Sequence, residues 1–417
     1  MEKNIKLTPQ QIADLQLPET IRKQAAKIFE LTLKGQTSFN YEPSKFESTV
    51  DFVLSVIKQK YPDLNIPFHS RWGHFRAGGI DRAKKFSEFF EKCDALEKAR
   101  AQLDLVITSV LLDAGAGAKW SYLEAGANKS PLNRSEGLGV ASYHMFCSGV
   151  MSADAHSLKA DEQGLKSVSV IDLKKYFQVT NENPLIGVEG RVLLLNNLGK
   201  VLENKTFFKD GRPGNILDYL IQKFGSTIPA VEILKAVLNG FGSIWPGRLS
   251  SEQNNQKINL GDVWIYPKLV KKLGESGSFE SLVPIHKLSQ WMTYSLIEPI
   301  MAAGFTVTKA EELTGLAEYR NGGLMLDSGL LSIKNPENLK KEWAPDSELI
   351  IEWRALTIHL LDQIGYEVQK ALQKTPQQFP LAKVLEGGTW WAGRKLAQEM
   401  RTDGAAPLNI ISDATVF

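Results

Sequence analysis

From Asp81 onward the apolar residues Phe86, Phe89, Cys93, Leu96, Leu103, Val106 and Val110 recur at helical spacing until Gly115 closes the run. Such a run predicts one long amphipathic helix whose buried face acts as a central strut. The rest of the chain is similar in kind. Thr8, Pro9 and Gln11 read as a capping box with proline at the first helical position, and Thr375, Pro376 and Gln378 repeat it. Helices are expected over residues 136–150, 214–223, 231–238, 286–303 and 352–373, with Pro299 kinking the fourth of these. Strand candidates at 168–171, 305–308 and 349–352 are too few for a doubly wound sheet. Residues 157–166 and 248–259 are polar and read as surface excursions. The expected fold is mainly α and multi-helical with a few short strands, in one large domain spanning 1–417. Within it, residues 1–115 can form a helical subdomain packed on 116–417.

With 417 residues, 43% hydrophobic and 23% charged, the chain can bury a large core. Lysine and arginine number 49 against 47 acidic residues, a net charge of +2, so no general field exists to hold a long nucleic acid or an anionic membrane. The expected partner is a small molecule, neither nucleic acid nor membrane. Cys93 and Cys147 alone make no disulfide framework and point to a reducing compartment. The polar start MEKNIKLTPQQ and the lack of any apolar run of bilayer length give a cytoplasmic expectation.

Several chemistries drop out. DAGAGAKW, residues 113–120, lacks the third glycine of a dinucleotide fingerprint and follows a helix rather than a strand. There is no Walker loop, HExxH or paired CxxC. His69 and His74 have nothing nearby to complete a ligand set, so no metal and no cofactor is expected. Cys147, three residues after His144, reads as a buried structural thiol.

What remains is polar chemistry at helix ends. SRWGHFRAGGIDR packs Arg71, His74, Arg82 and a Gly-Gly turn ahead of a helix, which suits a carboxylate or phosphate; equally, Arg71 and Arg82 can pair with acidic residues to pin the loop. His286 and Lys287 open a helix carrying Gln290, Trp291 and Tyr294, so one face offers donors and a stacking surface. Tyr319, Arg320 and Asn321 precede Gly322 and Gly323, either an anion-binding turn or a loop staple. Glu352 and Arg354 face the same way only in an extended backbone, and an internal salt bridge is the alternative. Trp390 and Trp391 are core or ligand stack.

These segments are ordered along the chain as RWGHFRAGGIDR, LLDAGAGAKWSY, RSEGLGVAS, VPIHKLSQWMTYSLIEP, LTGLAEYRNGGL, EWRALT, VLEGGTWWAGR and ISDATVF. Together they resemble an uncharacterised-domain family whose fungal members are the URC-type uracil-catabolism proteins, the fourth of that pathway. Ala414 departs from the family ending, which usually carries glycine there. The resemblance implies a role in breaking uracil down through a ribosylated, ring-opened urea intermediate. A partial resemblance to queuosine-salvage nucleoside hydrolases, carried by LLDAGAGAKWSY, EGLGVAS, KLSQW and EWRA, implies a helical fold akin to DNA glycosylases. That family's acidic residue in its Asp-Tyr-Arg-Leu segment is not kept, since this chain reads Ile285, His286, Lys287, Leu288.

The expected activity is hydrolysis of the N-ribosyl bond of a ribosylurea, with or without a 5′-phosphate. An oxocarbenium-like transition state needs a carboxylate, and the leaving nitrogen needs a donor. Asp113, Glu136 and Glu352 are the candidate carboxylates and His286 the candidate donor. Arg71, Arg82, Lys287 and Arg320 would hold a phosphate, with Trp291 walling the pocket. His74, Gln290, Tyr294, Tyr319, Arg354 and Trp390 complete the expected binding residues. The alternatives are a metal-free amidohydrolase step of the same pathway and a non-catalytic sensor of a nucleotide-like metabolite.

Overall fold

The computed structural model describes residues 3–125, 130–245, 247–270 and 277–411, so the expectation at Ala414 lies outside the described residues. The fold is mainly α and multi-helical with scattered short strands. The described chain separates into two compact units: residues 3–69, 247–290 and 309–411 form one, and 70–245 and 291–308 the other.

In the first unit the Glu348–Ala371 helix packs on Pro18–Leu33, and Tyr319–Asp327 on Trp390–Met400. The second pair lies very close, because a Cβ on Gly393 would sit 2.1 Å from the Arg320 carbonyl. Residues 349–352, expected as a strand, open the Glu348–Ala371 helix. Leu349, Ile350 and Ile351 form a short apolar run that fits a buried helix as well as a strand, and the buried series continues through Trp353, Leu356 and Leu360. Residues 248–259 are a hairpin rather than an excursion. Strand Leu249–Gln253 pairs antiparallel with Gln256–Asn259 and parallel with Lys3–Asn4. Asn254 and Asn255, at φ 51° and 61°, make the left-handed turn that matches strand twist. The Thr8 capping box forms as expected. The Thr375 box also forms its two reciprocal bonds, at 3.1 and 3.3 Å, but caps only a turn ahead of Pro380.

The second unit is built on Ala95–Leu111, whose residues 103–111 are all buried. The expected single strut is two helices. Arg82–Glu88 ends, the chain turns through residues 89–94, and Asp94 restarts it by accepting from the Glu97 N–H at 2.8 Å. Phe89 and Cys93 are exposed in that turn. Around the strut lie Arg134–Cys147, Val188–Val201, Ile216–Phe224 and Ala230–Phe241. Residues 168–171 are not a strand, because Ser169 and Asp172 form a capping box that starts the Val170–Tyr176 helix. The third candidate is a strand: Thr306–Thr308 runs parallel to Thr227–Pro229. Among the described residues no helix is long and apolar enough to cross a membrane.

Pro299 does more than mark a helix interior. It has no N–H to give to the carbonyl four residues back, and that carbonyl, of Ser295, instead accepts the Trp72 indole N–H at 2.9 Å. The Ser295 hydroxyl accepts the Arg71 backbone N–H, also at 2.9 Å. The missing helical bond thus seats the RWGH turn.

Candidate active site

Arg71 opens the four-residue helix Arg71–His74, and its side chain is completely buried. Nε donates to the Ser109 hydroxyl at 2.6 Å, and Nη1 to Asp113 Oδ1 at 2.5 Å and the Ser135 carbonyl at 3.3 Å. Nη2 has no acceptor among the described residues. Burial pulls the guanidinium below its ordinary range, while Asp113 and, more weakly, Glu136 pull it back up. One buried cation is therefore paired directly with Asp113 and feels the charge of Glu136 as well.

Both carboxylates are fixed by local sequence. Asp113 follows the C-terminus of Ala95–Leu111, and its Oδ2 accepts from the Ser135 hydroxyl at 3.2 Å. Its loop is clamped by Arg191, which donates to the carbonyls of Leu112 (3.1 Å), Gly115 (3.2 Å), Ala114 and Ile186. Burial lowers the Arg191 pKa to about 10. Glu136 lies in the first turn of Arg134–Cys147, where the helix dipole favours an anion. The glycines of EGLG are required by close approach: a Cβ on Gly137 would meet the Leu132 carbonyl at 2.5 Å, and one on Gly139 would meet His74 Cβ at 2.8 Å and Arg71 Cζ at 3.4 Å. His74 stands edge-on to Trp291, with ring centroids 5.7 Å apart, and the Arg71 guanidinium lies 5.6 Å from the same indole. Trp291 Nε1 is buried and unpartnered among the described residues. Tyr294 is fully buried in this unit.

Arg82, expected on a ligand, is committed elsewhere. It pairs with Glu124 through Nε at 2.8 Å and through Nη2, and its Nη1 reaches the carbonyls of Phe75, Ala77 and Ile80 at 2.8–3.2 Å. It staples the turn in which Gly78 and Gly79 have φ of 70° and 77°.

The remaining expected residues belong to the first unit. Glu352 is fully buried and held by the Ser38 N–H (2.7 Å), the Tyr266 hydroxyl (2.6 Å) and Lys268 (3.1 Å). Arg354, two residues on in a helix and so on another face, makes a bidentate pair with Asp262 at 2.8 and 2.7 Å. His286 has φ of 50°, is buried, and donates from Nε2 to the Leu15 carbonyl at 3.0 Å. Burial lowers its pKa, and its Nε2–H is engaged by that backbone carbonyl rather than left open to a leaving group. The Lys287 backbone N–H donates to Asp262 at 3.0 Å. Gln290 is fully buried, with neither side-chain atom partnered among the described residues. Arg320 donates to the Gly404 carbonyl at 2.8 Å and lies over Tyr319. Trp390 meets Trp391 edge-on at 4.8 Å and stands beside His69, whose Nδ1 lies 2.7 Å from Glu386.

Two carboxyls here escape a reading of the sequence. Burial pushes Asp262 up, but Arg354 overrides it and holds the carboxyl well below the usual range. Glu318 caps the Tyr319–Asp327 helix by accepting the Arg320 and Asn321 N–H groups at 2.7 and 2.5 Å, yet burial raises its pKa. A glutamate just before a helix start was the available signal for Glu318; nothing local marks Asp262. Among the described residues no three His, Cys, Asp or Glu side chains gather as metal ligands.

A family model described as "Protein of unknown function (DUF1688)" matches residues 14–417. The chain is 35% identical over 431 residues to "Uracil catabolism protein 4" of Lachancea kluyveri, covering 95% of this chain and 97% of that one. It is 37% identical over 424 residues to "Protein urg3" of Schizosaccharomyces pombe, covering 99% and 100%.

Proposed function

This chain belongs to the family described as "Protein of unknown function (DUF1688)", and from that premise we propose that it acts in uracil catabolism, hydrolysing the N-ribosyl bond of a ribosylurea-type intermediate to urea and a sugar. The observation that carries the reading is the buried Arg71, paired with Asp113 within the field of Glu136 and keeping Nη2 without an acceptor among the described residues. In the proposed reaction Nη2 donates to a sugar oxygen and Trp291 walls the ring. The Asp113 carboxylate faces the positive charge that develops at the anomeric carbon as the C–N bond lengthens. Water adds its hydroxyl to that carbon, and its proton passes to the carboxylate pair. Glu136, in the first turn of its helix, returns a proton to the ureido nitrogen as it leaves.

The test is incubation of the purified chain with ribosylurea and with its 5′-phosphate, with and without chelator, following urea and free sugar by mass spectrometry. Urea release that disappears in Asp113→Asn supports the reading. Tight binding with no release from either compound replaces it with a sensor.

A further inference from the structure

Gln290 is fully buried, and neither its Oε1 nor its Nε2 has a hydrogen-bond partner among the described residues. A primary amide taken out of water with both ends unpaired is strongly disfavoured, and such groups persist where something outside the fold supplies the partners. The position is firmly set. Gln290 sits in the first turn of the 16-residue helix Lys287–Ala302, and its backbone N–H reaches the His286 carbonyl at 2.9 Å. His286 holds a left-handed backbone at φ 50°, and Asp262 accepts the next N–H, of Lys287.

The chemistry of the missing partner is set by the amide. Oε1 and Nε2 lie side by side in one plane, an acceptor next to a donor, so the complement is a planar edge with a donor next to an acceptor. A ureido group, or the N–H and C=O edge of a cyclic amide, has that form. The carboxylate at this helix start, Asp262, is already paired with Arg354, which suits a neutral ligand.

We propose that Gln290 is the recognition group of a binding site in the first unit for a neutral ureide or cis-amide edge, read through a paired hydrogen bond. This goes beyond the hydrolase reading and stands whichever bond the protein cleaves.

The experiment titrates the full chain with N-methylurea, uracil and tetramethylurea, following ligand saturation-transfer NMR and the thermal midpoint. N-methylurea and uracil bind, and tetramethylurea, having no N–H, does not. Gln290→Leu abolishes binding and raises the ligand-free Tm by about 2–4 °C, because the unpaired amide is gone. Gln290→Glu, which keeps acceptors and loses the donor, weakens binding at least tenfold. Gln290→Leu that binds N-methylurea as wild type does, or that lowers Tm with binding unchanged, overturns the proposal, as does a wild-type chain that binds no ureide. Asp113→Asn separates the two readings: lost turnover with N-methylurea binding kept leaves this proposal standing, and loss of ureide binding confined to Gln290 variants leaves the hydrolase reading standing.

Discussion

Replacing Asp113 by asparagine removes a charge and little volume beside a guanidinium with no solvent exposure, while the aspartate side chain itself is 11% exposed. Breaking a buried ion pair by removing one partner costs about 3–5 kcal/mol. Asparagine keeps an oxygen for Nη1, and Glu136 remains as a second counter-charge, so the net loss falls to about 2–3 kcal/mol. At roughly 2–4 °C per kcal/mol for units of this size, Tm drops by about 4–12 °C. Asp113→Ala, which also loses the acceptor, takes the full penalty. Turnover falls by about 10²–10⁴, with the midpoint for substrate little changed, since the carboxylate acts on charge that exists only in the transition state. Far-UV circular dichroism melts and urea release on the same samples read both numbers. Either variant melting with wild type refutes the buried-pair assignment, and Asp113→Asn turning over at the wild-type rate refutes the catalytic one.

Gly139→Ala gains about 1 kcal/mol of helix propensity and loses about 1–3 by overpacking His74 and Arg71, so its Tm falls by at most about 8 °C while kcat/KM falls markedly; melts and initial rates check this. Asp262 has a depressed folded pKa, so its stabilisation is present above its ordinary value of 3.8 and is lost as pH falls below it. Urea melts at pH 7 and pH 3 should therefore find Asp262→Asn less stable than wild type at pH 7 and less affected by acid. Pro299→Ala supplies an N–H that competes with Trp72 for the Ser295 carbonyl, and a shift in tryptophan emission with reduced activity is the expected result. Arg191→Lys keeps the charge but cannot span four carbonyls, so it lowers both Tm and kcat in the same melts and rate assays.

Periodicity and capping were legible wherever the signal was local. The Thr8 box lies where the sequence puts it, and the Lys287–Ala302 helix falls within one residue of its expected bounds. The break at residues 89–94 was hidden because Phe89 and Cys93 stay in helical phase with their neighbours although both face solvent; Asp94, a good N-cap, was the signal against continuity. Residues 168–171 and 349–352 misled for the reason short apolar runs always do, since only the residues beyond such a run decide between helix and strand. Asp262 was invisible because its meaning comes from Arg354, 92 residues away.

Within SRWGHFRAGGIDR the sequence left two roles open for its arginines, and counting donors now separates them. A guanidinium has five N–H groups in a fixed fork. Arg82 engages all three of its nitrogens, on both Glu124 oxygens and three turn carbonyls, which is the work of a staple. Arg71 is buried just as deeply, yet its bonds to Ser109, Asp113 and Ser135 leave Nη2 with nothing among the described residues. Two residues of the same type, eleven positions apart in one motif, thus differ in the one respect that matters for a ligand. Arg71→Lys and Arg82→Lys should therefore fail differently: the first loses turnover well beyond its loss of stability, the second loses stability with activity per folded molecule retained. Melts paired with rates normalised to folded protein measure that contrast, and equal ratios for the two variants would return Arg71 to the role of a loop pin.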